Sequence, residues 1–89
     1  MIELPNHMML IKPTLYILKT AQRDLSVKEI EEAIIKELEI PMHLAQKIHS
    51  GNRTELQYRL AWARTKLRSQ GLIENPQKGK WKIVDVGQL

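Results

Sequence analysis

Eighty-nine residues with 43% apolar side chains suit one small folded domain, because a second independent core is hard to build below about 100 residues. The chain has no cysteine, which excludes disulfides and thiolate metal sites. Net charge is +4, but residues 53–82 hold eight Lys or Arg and two acids (+6), while the remainder holds six and eight (−2). Such polarity marks a phosphate-binding face, or else a solvated basic surface.

The apolar N-terminus, "MIELPNHMMLIKPTLYIL", lacks a basic leading segment and a small-residue cleavage site, so it reads as part of the fold. No apolar run approaches the roughly 18 residues that span a bilayer. A cytoplasmic protein without a membrane partner is expected. A first helix is predicted over about 8–22. Ile11, Leu15 and Leu18 face a core, with Met8 one turn earlier. Pro13 is tolerated only in a first turn, where its missing N–H is an orphan anyway, so the ordered helix should begin near Leu10.

"RDLS" is a short connector whose Leu25 can lie beside another strand. Ser26 and Glu29 form a capping box for a second helix, with Val27, Ile30, Ala33, Ile34 and Leu38 inward. Pro41 should end it. "MHLAQKIH" (42–49) is expected to be a short third helix with Leu44 and Ile48 inward. Asn52 and Glu55 can cap a fourth helix, roughly 53–70, on which Leu56, Leu60, Ala63 and Leu67 form an inward stripe. Gly71 stands where a left-handed cap is wanted.

"LIENPQKGKWKIV" then alternates around Asn75, Pro76 and Gly79, a hairpin signal. Trp81 and Ile83 should pack on the helices, with Lys80 and Lys82 on the opposite face. Residues 85–89 read as a frayed tail. The order implies an α+β winged helix-turn-helix, four helices with the third short, and a β-hairpin wing, as one domain over 1–89.

A helix fits the DNA major groove, where base edges are distinguishable. Rotation from the leucine stripe puts Thr54, Gln57, Tyr58, Ala61, Thr65 and Arg68 outward. Gln57 can pair bidentately with adenine, and Arg53 or Arg68 can reach guanine or phosphate. Arg59, Arg64 and Lys66 border the buried stripe and suit flanking phosphates. Lys78 and Lys80 at the hairpin tip can reach the backbone, with Gly79 allowing close approach. Trp62 is expected to pack against a neighbouring helix.

His7, His43 and His49 are too scattered for a zinc site and read as surface histidines. Catalysis needs a pocket of convergent titratable groups. The carboxylates instead surround a solvated face of the second helix, and no nucleophile sits beside a histidine. "NPQKGK" resembles the Gln-x-Lys element of metal-dependent nucleases, but the chain has no room for the sheet that carries a second acidic ligand. No catalytic residue, metal or cofactor is expected.

The stretch "SGNRTELQYRLAWARTKLRSQGLIENPQKGKWKI" resembles the N-terminal winged-helix DNA-binding domain of the Mrr-type restriction endonucleases, which cut modified DNA. The resemblance rests on Ser50-Gly51, Arg59, Trp62-Ala63-Arg64-Thr65, Leu67, Gly71-Leu72-Ile73-Glu74, Gly79, Trp81 and Ile83. It continues upstream through Pro13-x-Leu15 and Val27-Lys28-Glu29-Ile30. Relatives tend to carry an aromatic near the helix start, where this chain has Gln57. The resemblance implies a double-stranded DNA targeting module, normally followed by a nuclease domain in the parent protein. Two other readings stay open: a winged-helix transcriptional regulator, as a homodimer reading two half-sites, or a protein-interaction module using the same basic face.

Overall fold

Asn6, rather than Pro13, decides where the chain first becomes helical. In the computed structural model, which describes residues 3–84, Asn6 Oδ1 accepts the Met9 N–H at 2.9 Å and caps α1, His7–Ala21. The helix therefore starts a turn earlier than expected, and Pro13 lies in its interior. The buried stripe shifts with it: Leu10, Thr14, Ile17 and Leu18 are buried, whereas Met8 is exposed and Ile11 and Leu15 are half-buried. Leu4 and Pro5, both buried, draw the incoming chain onto the core and set that start.

β1, Leu25–Ser26, follows as the short extended segment foreseen around Leu25. Ser26 Oγ accepts the Glu29 N–H at 3.0 Å and Glu29 Oε1 accepts the Ser26 N–H at 2.8 Å, closing the capping box of α2, Val27–Glu37. α2 ends before the proline: Leu38 caps it and Glu39 takes a left-handed φ of 52°.

The Ser26 N–H and the Arg23 guanidinium hold the Glu29 carboxyl far below its ordinary range, at about 2. A depressed carboxyl contributes stability above its unfolded value of about 4.5 and loses it as pH falls towards 2. Glu29→Gln keeps an oxygen for the Ser26 N–H and removes only the charge. Thermal melts should show the wild type above the variant at pH 7 and the gap closing between pH 4.5 and 2. An undiminished gap at pH 2 would contradict this account.

α3 is a single turn, Met42–Ala45, shorter than the expected helix. Ile48, expected inward on it, lies instead on β2, Ile48–Ser50, and is 60% exposed. β2 pairs antiparallel with β3, Arg53–Thr54, across a turn at Gly51, whose φ is 54°. "SGN" is thus a ribbon turn, because Gly supplies the positive φ and Gly-Asn is a hairpin dipeptide.

The ribbon moves the cap of α4, Glu55–Ser69, from Asn52 to Thr54. Leu56, Leu60, Ala63 and Leu67 are all buried, as their spacing requires. Gly71 adopts φ 75° and turns the chain into β4, Ile73–Gln77, and β5, Lys80–Ile83.

β5 is the central strand of an antiparallel sheet in the order β1-β5-β4. Leu25 pairs with Trp81 and Ile73 with Ile83, so the two-residue β1 gives the hairpin a third strand. Trp81 and Ile83 pack against the core, as alternation requires. Asn75 Nδ2 ties the irregular tip, donating to the Gln77 carbonyl at 2.8 Å and to the Lys80 carbonyl. The described residues are α+β, four helices with small antiparallel sheets, an arrangement compatible with a winged helix-turn-helix. The tail expected over 85–89 lies outside the described residues.

Candidate functional site

α4 separates its polar residues into three flanks, and each meets different neighbours. On one flank Arg59 Nε donates to Glu55 Oε2 at 2.9 Å, while Nη1 donates to the carbonyls of Leu4 and Pro5 at 3.0 and 3.2 Å. Arg59 is thus a tether between α4 and the N-terminal segment. Its place on the border of the leucine stripe suits a phosphate contact, but its donors are engaged within the chain. Glu55 also accepts from His49 Nδ1 at 2.8 Å. His49 first, and Arg59 second, hold the Glu55 carboxyl below its ordinary range.

The helix start consumes two of the expected base readers. Thr54 Oγ1 accepts the Gln57 N–H at 3.1 Å, and Gln57 Oε1 accepts the Thr54 N–H at 3.0 Å. Gln57 Nε2 then donates to Glu31 Oε1 at 3.3 Å. Neither side chain is free to read a base without opening the cap. Gln57→Ala should lower stability by about 1 kcal/mol through the lost cap. Thr65, exposed and bonded only to the Ala61 carbonyl at 2.9 Å, carries no such cost. Thr65→Ala should leave the thermal midpoint within about 0.5 kcal/mol of wild type, and a change in base preference in a duplex panel would then report contact alone.

The outward flank carries an aromatic row. His49 stacks on Tyr58 with centroids 3.9 Å apart and planes 13° apart, and Trp62 meets Tyr58 edge-on at 6.4 Å. The Arg53 guanidinium lies 5.7 Å from the Tyr58 centroid. Trp62 is 50% exposed, and its ring lies 6.5 Å from that of His7 at the start of α1, so it meets the neighbouring helix over part of its surface and leaves the rest open. Arg53, Tyr58, Ala61, Trp62 and Thr65 line an open recess of about 290 Å³. Sequence reasoning passes over His49, since its partner lies across the β2–β3 ribbon and no helical period links them.

The third flank faces the wing. Arg64 is only 8% exposed, and its guanidinium lies 5.7 Å from the Trp81 ring centroid. It was expected on the rim of the stripe, yet Trp81 folds over it. Its Nε and Nη1 are buried without a hydrogen-bond partner. Burial, and then the charge of Arg53, push its pKa down, with Glu31 opposing.

Among the described residues, Arg53, Arg64, Lys66, Arg68 and Lys78 take part in no ion pair, whereas Lys80 meets Glu29 at 4.0 Å and Lys82 meets Glu74 at 3.5 Å. Arg53, Arg68 and Lys78 are also exposed.

A family model described as the Mrr N-terminal domain matches residues 8–89. The chain belongs to this family. No curated protein and no solved structure matches it. The match covers α1 to β5 and therefore both basic elements of this Mrr N-terminal domain. It associates the chain with restriction systems through a domain that is not the catalytic one. Among the described residues of this Mrr N-terminal domain, no cluster of three His, Asp or Glu is placed to hold a metal ion. Nor is any helix among them long and apolar enough to cross a membrane.

Proposed function

We propose that this Mrr N-terminal domain binds double-stranded DNA and targets a restriction endonuclease whose cleavage is performed by a separate nuclease domain. α4 enters the major groove and the wing, 75–80, lies on the backbone. The observation that carries this reading is the run of cations on β3, α4 and the wing that are unpaired among the described residues, Arg53, Arg64, Lys66, Arg68 and Lys78, while Glu55 is engaged by Arg59 and Glu29 by Arg23. A solvated basic surface would gain by pairing with its own acids; a phosphate-binding one keeps its cations open.

The helix suits its role in size and chemistry. Its outward side presents Thr65, Ala61 and Trp62 beside Arg53 and Arg68, a mixture of hydrogen-bonding, apolar and cationic groups that base edges and phosphates require. On the wing-facing flank Arg64 meets Trp81, which ties α4 to the root of the wing.

If four phosphates are neutralised, log affinity should fall against log salt with a slope of about −3.6. Fluorescence anisotropy of a labelled duplex should then show affinity falling about 150-fold between 50 and 200 mM salt. A flat response would remove the electrostatic basis of the proposal.

A further inference from the structure

The aromatic row beside α4 is held at one end and open at the other. Arg59 donates to Glu55 at 2.9 Å, Glu55 accepts from His49 at 2.8 Å, and His49 stacks on Tyr58 with centroids 3.9 Å apart. The β2–β3 ribbon carries His49 to this place, so one face of the Tyr58 ring is covered and the ring is held before any ligand arrives. Trp62, at the other end of the row, keeps half of its surface in water.

Tyr58 and Trp62 meet at 80° with centroids 6.4 Å apart. A flat ring laid parallel to one of them therefore stands nearly perpendicular to the other, and both are favoured aromatic geometries. The two rings line the open recess of about 290 Å³ together with Ala61, Thr65 and Arg53. That volume is near the lower end of sites that hold small organic ligands, roughly 300 Å³. Among the described residues Arg53 is the single charged group in the lining, and it is exposed and joins no ion pair. Two crossed aromatic rings with a free guanidinium, and no acid among them, suit a planar ring that carries a phosphate.

We propose that this recess takes an unpaired nucleobase, stacked on Trp62 and flanked by Tyr58, with Arg53 on the adjoining phosphate. The inference rests on the DNA-binding function proposed above and narrows its substrate to a duplex in which one base stands out of the stack. A paired base inside a helix has both faces covered by its neighbours, so only a displaced base can offer a face to Trp62. Displacement costs least where the base has no partner. Every base has such a face, so the preference concerns pairing state rather than base identity.

The test compares labelled duplexes of the same sequence: fully paired, with an extra unpaired thymidine, and with an abasic residue in place of that thymidine. A short oligothymidylate single strand is the remaining probe. The unpaired thymidine should raise affinity about tenfold over the paired duplex, and the abasic duplex should bind like the paired one. Trp62→Ala should bring that ratio to about one, whereas Trp62→Phe keeps a ring and should retain a preference of at least about threefold. The thymidine duplex should also quench wild-type tryptophan emission, and Trp62→Phe should lose that quench although Trp81 remains. Equal affinity for the paired and thymidine duplexes would overturn the base site while the DNA reading survives. An abasic duplex bound as tightly as the thymidine one would also overturn it, by tracing the preference to a bent backbone. If the single strand binds through Trp62 and no duplex does, the double-strand reading fails and the base site stands. If no probe binds, both are overturned.

Discussion

Arg64→Met is expected to stabilise the protein and to weaken its binding of duplex DNA. Arg64 is only 8% exposed, and its Nε and Nη1 are buried without a hydrogen-bond partner. An arginine stays charged at any ordinary pH, so folding must desolvate a cation with only the Trp81 face in return. Methionine has a similar reach, no donors, and a flexible thioether suited to packing against an indole. Removing a buried group that lacks partners, with an apolar group filling its space, should gain about 1–2 kcal/mol. For a chain of this size that is about 5–10 °C in the thermal midpoint. The same change removes one of the unpaired cations of α4 from the proposed DNA-binding face and should lower duplex affinity about tenfold. Calorimetry and anisotropy on one preparation check both parts. A fall in the midpoint would show that the guanidinium is satisfied in solution, and unchanged affinity would separate Arg64 from the nucleic-acid face. Opposite signs in stability and binding are the expected mark of a residue retained for function at the expense of folding.

Arg59→Met should act in the opposite direction. Arg59 serves three acceptors, Glu55 and the carbonyls of Leu4 and Pro5. Methionine leaves the two carbonyls without their donor on a segment whose Leu4 and Pro5 are both buried. It also leaves Glu55 with His49 as its remaining side-chain partner. Hydrogen bonds from a charged donor are stronger than neutral ones, and a stability loss of about 2 kcal/mol follows. The thermal midpoint should drop by about 10 °C. Measured well below that midpoint, duplex affinity should change by less than about threefold, because an arginine already engaged by three acceptors has little left to offer a phosphate. A large loss of affinity with an unchanged midpoint would return Arg59 to the phosphate-contacting role that its position in the sequence suggests.

The contrast between these two arginines shows where sequence reasoning reaches its limit. Both lie five residues apart on α4 and both border its leucine stripe, so helical period gives them the same role. Their fates diverge because the segment that accepts from Arg59 lies 55 residues earlier, while the ring that covers Arg64 belongs to β5. The same limit applies at the start of α4. Asn52 and Thr54 are both good caps; pairing of Ile48 with Thr54 selects the second and thereby occupies Gln57.

Local periodicity and capping chemistry determined much of this protein from its sequence alone. The inward stripe of α4, the Ser26–Glu29 box, the left-handed Gly71 and the core-facing side of the hairpin all depend on neighbours within about a turn or on strand alternation. The family match extends that legibility to kinship with the Mrr N-terminal domain. Tertiary structure alone decided which cations remain unpaired, that His49 stacks on Tyr58, and that Trp62 stays half exposed. Those outcomes depend on which distant donor, acid or ring arrives beside each side chain, and a one-dimensional pattern carries no record of that distance.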